Sequence, residues 1–197
     1  MRQMIFAGLA VLAFGAAGCD RNSGDSGVPG ERPVTVVEPE TRVDTVPQEE
    51  PAVARSQWRA ANDDARSITG NLRVSLQDRR GGPLVFAFAT GITIIAQPYN
   101  VVPADSRSGV GGQSFAAVLG GDPRVDAFLY RVNAENVTRS ASNGGLCGEA
   151  VTTYLAVSEF VDGSGRWTFK IAAFSGANQP PSNNDPQLCN TYSYTAQ

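Results

Sequence analysis

Apolar and polar residues alternate with a period of two over residues 67–76, the most regular pattern in the chain. One face of this segment carries Ile68, Gly70, Leu72, Val74 and Leu76. Such alternation is typical of a strand with one buried face. Residues 84–96 are instead apolar on both faces apart from two threonines. That pattern predicts a central strand with Gly91 at a bulge or a close approach.

Four further strands are predicted in the C-terminal half of the chain. They cover residues 125–134, 151–161, 166–174 and 188–195. The second and third of them flank Asp162-Gly163-Ser164-Gly165, a strong signal for a hairpin turn. The sequence therefore predicts about six strands.

Two short helices are predicted beside these strands. Ser56 can cap a helix over residues 56–66, with Trp58 as the side chain that docks it. Residues 114–119 can form one helical turn that ends at Gly120-Gly121. Because strands do not alternate with long helices, the predicted fold class is mainly β: an antiparallel sheet or small barrel with one or two short helices.

Residues 20–55 differ in composition from the rest of the chain. They are rich in Pro, Glu, Asp, Ser, Gly and Val and contain no aromatic residue. Such a segment buries too little apolar surface to offset the entropy lost on ordering, so it predicts a disordered tether. The expected organisation is a leader over residues 1–18, a tether over 19–54 and a folded β domain over 55–197.

The leader ends at a cysteine. Met1-Arg2-Gln3 supplies one positive charge, residues 4–14 are apolar or small, and Ala16-Ala17-Gly18 precede Cys19. An apolar core of this length is too short to span a bilayer and predicts a secretory signal peptide. The residues before Cys19 resemble the lipobox of bacterial lipoproteins, with Ala16 at the position that usually holds Leu or a β-branched residue. An ordinary signal peptide cut near Ala17 is the alternative.

The lipobox resemblance implies that Cys19 receives a diacylglyceryl group and becomes the N-terminus after cleavage. Two acyl chains on one residue provide stable anchoring, whereas a single acyl chain binds a membrane only marginally. In enterobacterial lipoproteins an Asp after the cysteine is a signal for retention in the inner membrane. Asp20 therefore favours the inner over the outer membrane, with the domain facing the periplasm.

The two remaining cysteines, Cys147 and Cys189, are expected to form a disulfide in an oxidising compartment. Closing the loop between these two cysteines lowers the entropy of the unfolded chain, which stabilises the fold by about 4 kcal/mol. A zinc or redox site would need further ligands or a Cys-x-x-Cys motif, and the sequence has neither. We expect no metal and no cofactor.

Several kinds of chemistry are excluded by composition. The chain contains no histidine, so it has no Ser-His-Asp triad and no imidazole base. Lys170 is the only lysine, and no serine lies three residues before it, so the chain has no Ser-x-x-Lys motif. A net charge of -3 with scattered basic residues argues against nucleic-acid binding. A hydrolase with paired carboxylates stays open, but we expect the protein not to be an enzyme.

The predicted binding surface is formed by the hairpin tip, the polar loop near residue 183 and exposed aromatic residues. Loops held on a rigid sheet commonly present such surfaces, and tyrosine supplies large contact area at low entropy cost. The candidate residues are Ser164, Arg166, Asn183, Asn184, Tyr192 and Tyr194. The alternative is that the two tyrosines belong to the core.

These observations predict a lipid-anchored lipoprotein of the bacterial cell envelope whose domain is a non-enzymatic binding or structural module. Its expected partners are the membrane, through the anchor, and an envelope protein or glycan. An alternative is an inhibitor similar to the small β-barrel lipoproteins that block lysozyme. Those proteins insert a Ser-Gly-x-x-Tyr loop, whereas Ser164-Gly165 is followed here by Arg166-Trp167-Thr168.

Overall fold

Eight strands form a closed antiparallel barrel in the part of the chain that the computed structural model describes, which is Arg55 and residues 57–196. Their bounds are β1 Gln57–Ala60, β2 Leu72–Leu76, β3 Leu84–Phe88, β4 Ile92–Val102, β5 Ala127–Val137, β6 Thr152–Val161, β7 Trp167–Ser175 and β8 Gln187–Ala196. Each strand pairs with the next, and β1 pairs with β8 to close the barrel. The predicted mainly β, antiparallel class is confirmed, and the predicted count of about six strands is too low. The leader and tether predictions fall on residues outside the described part.

The predicted strand over residues 84–96 is in fact the β3–β4 hairpin. The turn between the two strands contains Gly91, whose φ of 97° lies in the left-handed region that favours glycine. A Cβ atom at this position would collide with the hydroxyl of Thr138. The close approach at Gly91 is thus confirmed, whereas the continuous strand is wrong.

The predicted helix over residues 56–66 is also wrong, because this segment starts with β1. Trp58 is fully buried and pairs with Leu72 of β2 and Ala196 of β8, so the chain must be extended here to close the barrel. After β1, Asn62 accepts hydrogen bonds from the amides of Ala65 and Ser193. A π-helical turn follows at Ala65–Thr69, and the strand predicted to start at residue 67 therefore starts at Leu72.

The predicted helical turn near residue 115 is confirmed as α1, Phe115–Leu119. The Ser114 hydroxyl caps it by accepting a hydrogen bond from the Ala117 amide, and Gly120 ends it in the left-handed conformation. In the described residues no helix is both long and apolar enough to cross a bilayer.

The barrel encloses a core of large side chains. Trp58 packs on Phe169 with 5.2 Å between ring centroids, and Phe86 packs edge-on against Tyr130 at 5.9 Å. The other large, fully buried side chains of this core are Tyr192, Tyr194, Leu84, Ile92 and Ile94. Aromatic rings thus occupy much of the interior.

A second apolar cluster lies outside the barrel wall. Phe115, Val118 and Leu119 of α1 pack against outward-facing residues of β5, β6 and β7. The β4–β5 connection therefore covers the outer face of these three strands, which accounts for fully buried residues such as Ala156 and Ala172 on that face.

Candidate functional site

Cys147 and Cys189 form the predicted disulfide, with their Cα atoms 5.1 Å apart. The bond joins the β5–β6 loop, residues 138–151, to β8. Cys19, the predicted lipidation site, lies outside the described residues. The disulfide therefore fixes the β5–β6 loop to β8 at one end of the barrel.

Tyr192 and Tyr194 are fully buried inside the barrel, so they cannot contribute to an exposed binding surface. The Tyr192 hydroxyl donates to the Leu146 carbonyl at 2.6 Å, and the Tyr194 and Thr69 hydroxyls lie 2.7 Å apart. Burial raises the pKa of Tyr192 to about 12 and that of Tyr194 further. The two phenols hold the β5–β6 loop and the π-helical turn over one end of the barrel.

Ser164 and Arg166 lie exposed at the tip of the β6–β7 hairpin, where Asp162 organises the turn. One Asp162 carboxylate oxygen accepts hydrogen bonds from the Ser164 hydroxyl at 2.6 Å, the Ser164 amide at 2.9 Å and the Arg166 amide at 3.1 Å. These bonds, with the Ser164 hydroxyl first among them, lower the pKa of Asp162 to about 2. The hairpin tip therefore presents a hydrogen-bonded turn with an ionised carboxylate at neutral pH.

Asn183 and Asn184 are exposed on the β7–β8 loop, which leaves the opposite end of β7 from the hairpin tip. A strand of nine residues separates the two loops along the chain, and it spans about 30 Å. The β7–β8 loop instead packs toward the β4–β5 connection, where the Gly111 amide donates to Asp185 at 3.2 Å. The predicted patch is therefore split into two separate surfaces.

Two acidic residues of the predicted turns, Asp122 and Asp162, accept hydrogen bonds from neighbouring donors. Asp122 and Asp162 line one surface cleft, and hydrogen bonds from the Arg124 side chain lower the pKa of Asp122 to about 2. A carboxylate-pair hydrolase needs one acid with a raised pKa, and neither of these two carboxyls has it. Among Arg55 and residues 57–196, no cluster of three or more His, Cys, Asp or Glu side chains could hold a metal.

A groove between β5 and β6 is the feature that the sequence did not predict. The ladder between these strands has four residue pairs and ends at Arg131 opposite Tyr154. Beyond that point β5 continues to Val137 while β6 continues back only to Thr152, and the two strands separate. The resulting groove has a volume of about 390 Å³ and is lined by residues 131–135 and 151–154.

The groove offers both apolar and charged contacts. Val151 at its rim is 70% exposed, more than any other large hydrophobic residue among Arg55 and residues 57–196. The Arg131 guanidinium donates to the Gln179 side chain at 2.8 Å and lies 6.0 Å from the Tyr154 ring. Strand edges of this kind can pair with an added extended chain, and the neighbouring side chains can select it.

Glu135 crosses the groove and links its two sides. Its carboxylate accepts hydrogen bonds from the Leu146 amide at 2.9 Å, the Thr152 amide at 2.8 Å and the Thr152 hydroxyl at 2.9 Å. A Cβ atom at Gly145 would collide with this carboxylate. One side chain thus replaces the backbone bonds that the separated strands cannot make to each other.

Replacing Glu135 with alanine is expected to lower the free energy of unfolding by about 3 kcal/mol, because two amides and one hydroxyl lose a charged acceptor. Urea denaturation followed by circular dichroism measures the change. Glu149→Ala is the matched control, since Glu149 is an exposed carboxylate in the same loop. Equal effects of the two substitutions would contradict the bridging role of Glu135.

Comparison with known proteins finds no matching family model, no significantly similar curated protein and no significantly similar solved structure. No family is assigned.

Proposed function

We propose that this protein is a lipid-anchored lipoprotein of the bacterial cell envelope, attached through Cys19 and facing the periplasm. The observation that carries the proposal is the leader itself: one basic residue, an apolar core and three small residues that end at a cysteine. The disulfide between Cys147 and Cys189 supports it, because such bonds persist in oxidising compartments outside the cytosol.

We propose that the barrel is a non-enzymatic binding module and that its partner contacts the outer wall. Aromatic and aliphatic side chains occupy the barrel interior, whereas the β5–β6 groove is open to solvent. The β5 edge beyond Arg131 does not pair with β6, which favours an extended segment of an envelope protein over a compact ligand.

The anchor is tested by feeding cells an alkyne-bearing fatty acid and detecting the label on the protein. We expect labelling of the wild-type chain and its loss in Cys19→Ser. The Cys147→Ser and Cys189→Ser double variant is the control, because it changes the other two cysteines and should stay labelled. Label that survives Cys19→Ser would overturn the anchor.

The binding surface is tested by placing a photo-crosslinking amino acid at Val151 in the full chain, in intact cells. A discrete crosslinked product is expected from this groove position. The control position is Val161, which is 46% exposed and lies at the other end of β6. Products of equal yield at both positions, or none at Val151, would contradict binding in the groove.

A further inference from the structure

Lys170 lies on β7 between two serines from neighbouring strands. The register places Ser158 of β6 directly opposite Lys170, and Ser193 of β8 directly opposite it on the other side. Residues directly opposite in an antiparallel ladder share a face, with Cβ atoms about 5 Å apart. The barrel therefore assembles a Ser–Lys–Ser row from residues that are far apart in sequence.

The Lys170 amine donates a short hydrogen bond to the Ser193 hydroxyl, with 2.7 Å between Nζ and Oγ. This distance lies within the range of about 2.6–3.2 Å that a nucleophile and its base require. Lys170 is half-buried near the end of α1, where a Cβ atom at Gly120 would lie 4.0 Å from Nζ. Burial lowers the pKa of Lys170 and so increases the fraction of neutral amine, the form that accepts a proton.

Ser158 adds an independent observation on the other side of the lysine. Its side chain is buried, and its hydroxyl has no hydrogen-bond partner among the described residues. A buried hydroxyl without a partner is uncommon and calls for an explanation. Ser158 lies directly opposite Lys170 in the register, so its hydroxyl is placed to accept an N–H of the Lys170 amine when that amine turns toward it.

We infer that Ser193 is a covalent acyl-acceptor site, activated by Lys170, for activated carboxylic esters or thioesters. Neutral Lys170 takes the Ser193 hydroxyl proton as Oγ attacks the carbonyl carbon. The Oγ–C bond forms, the bond from that carbon to the leaving oxygen or sulfur breaks, and the lysine ammonium returns the proton to the leaving group. The products are an ester on Ser193 and a free alcohol or thiol. This inference goes beyond the proposed function and does not depend on the lipid anchor or on the groove.

The test incubates the full chain, purified in detergent, with p-nitrophenyl acetate and locates acetyl groups by peptide mass spectrometry. We expect one acetyl group on Ser193, or on Lys170 after transfer from the Ser193 ester. Ser193→Ala should abolish both products. Lys170→Arg should slow acetylation about 100-fold, because the guanidinium keeps a hydrogen bond to Ser193 but cannot accept its proton.

Ser75→Ala is the matched control, because Ser75 is an exposed strand serine that pairs with Val85 rather than with a lysine. The Ser75→Ala variant should be acetylated at Ser193 at the same rate as the wild type. Three results would overturn the inference: no acetyl group on Ser193 or Lys170, acetylation of Lys170 that persists in Ser193→Ala, or acetylation of Ser193 at an unchanged rate in Lys170→Arg. Unchanged circular dichroism of each variant shows that the barrel is intact.

Discussion

Serine at both Cys147 and Cys189 is expected to lower the free energy of unfolding by about 4 kcal/mol. The bond links residues separated by 42 positions, so its loss increases the conformational entropy of the unfolded chain. It also releases the β5–β6 loop, whose Leu146 carbonyl is held by Tyr192 inside the barrel. Urea denaturation with and without reductant measures the effect.

Reductant provides the internal control for this prediction. It should destabilise the wild-type protein by about the same amount and leave the double variant unchanged. Cys19→Ser should unfold like the wild type under both conditions. A double variant that unfolds at the wild-type urea concentration would show that the disulfide contributes little to stability.

Trp58→Ala is expected to cost about 4 kcal/mol of unfolding free energy, the cost of removing a large aromatic side chain from a core. Trp58 is fully buried, contacts Phe169 and lies on β1, the four-residue strand that closes the barrel. The substitution would leave a cavity beside β1. Few backbone pairs stabilise this strand, because it pairs with β2 at two registered positions and with β8 at three. Denaturation followed by far-ultraviolet circular dichroism measures the loss.

The second tryptophan is the matched control. Trp167 is 38% exposed and stacks under the Arg55 guanidinium, 3.6 Å from its ring centroid. Trp167→Ala should lower the free energy of unfolding by about 1 kcal/mol, because it removes an exposed cation–π contact and a partly buried ring. Equal costs for the two substitutions would contradict the position of Trp58 at the barrel closure.

Local patterns were sufficient for several elements. The sequence predicted the hairpin around Asp162, the helical turn near Phe115 and the last strand. Turn residues and capping residues determine the conformation of the few residues next to them, so a short segment is enough to recognise them. The disulfide was predicted because only two cysteines remained to pair in the folded region.

Elements that depend on distant partners were missed. Residues 84–96 appeared to be one strand because the outward-facing residues Val85, Ala87 and Ile95 are apolar and half-buried, which hid the turn at Gly91. The segment containing Trp58 was predicted to be helical because Trp58, Ala61 and Ala65 recur at a spacing that also fits one face of a helix. Its strand exists because β2 and β8 supply hydrogen bonds from both sides.

The sequence alone predicted the mainly β class of this fold, the hairpin around Asp162 and the pairing of Cys147 with Cys189, because alternation and turn residues act over short distances and only two cysteines remain in the folded region. Only the tertiary structure decided that the sheet closes, that Tyr192 and Tyr194 point into it, that β5 and β6 separate to form a groove, and that Lys170 meets Ser193. These features depend on strand register around a ring of eight strands. Closure requires the first and last strands, β1 and β8, to pair, and no short segment encodes a contact between residues so far apart in the chain.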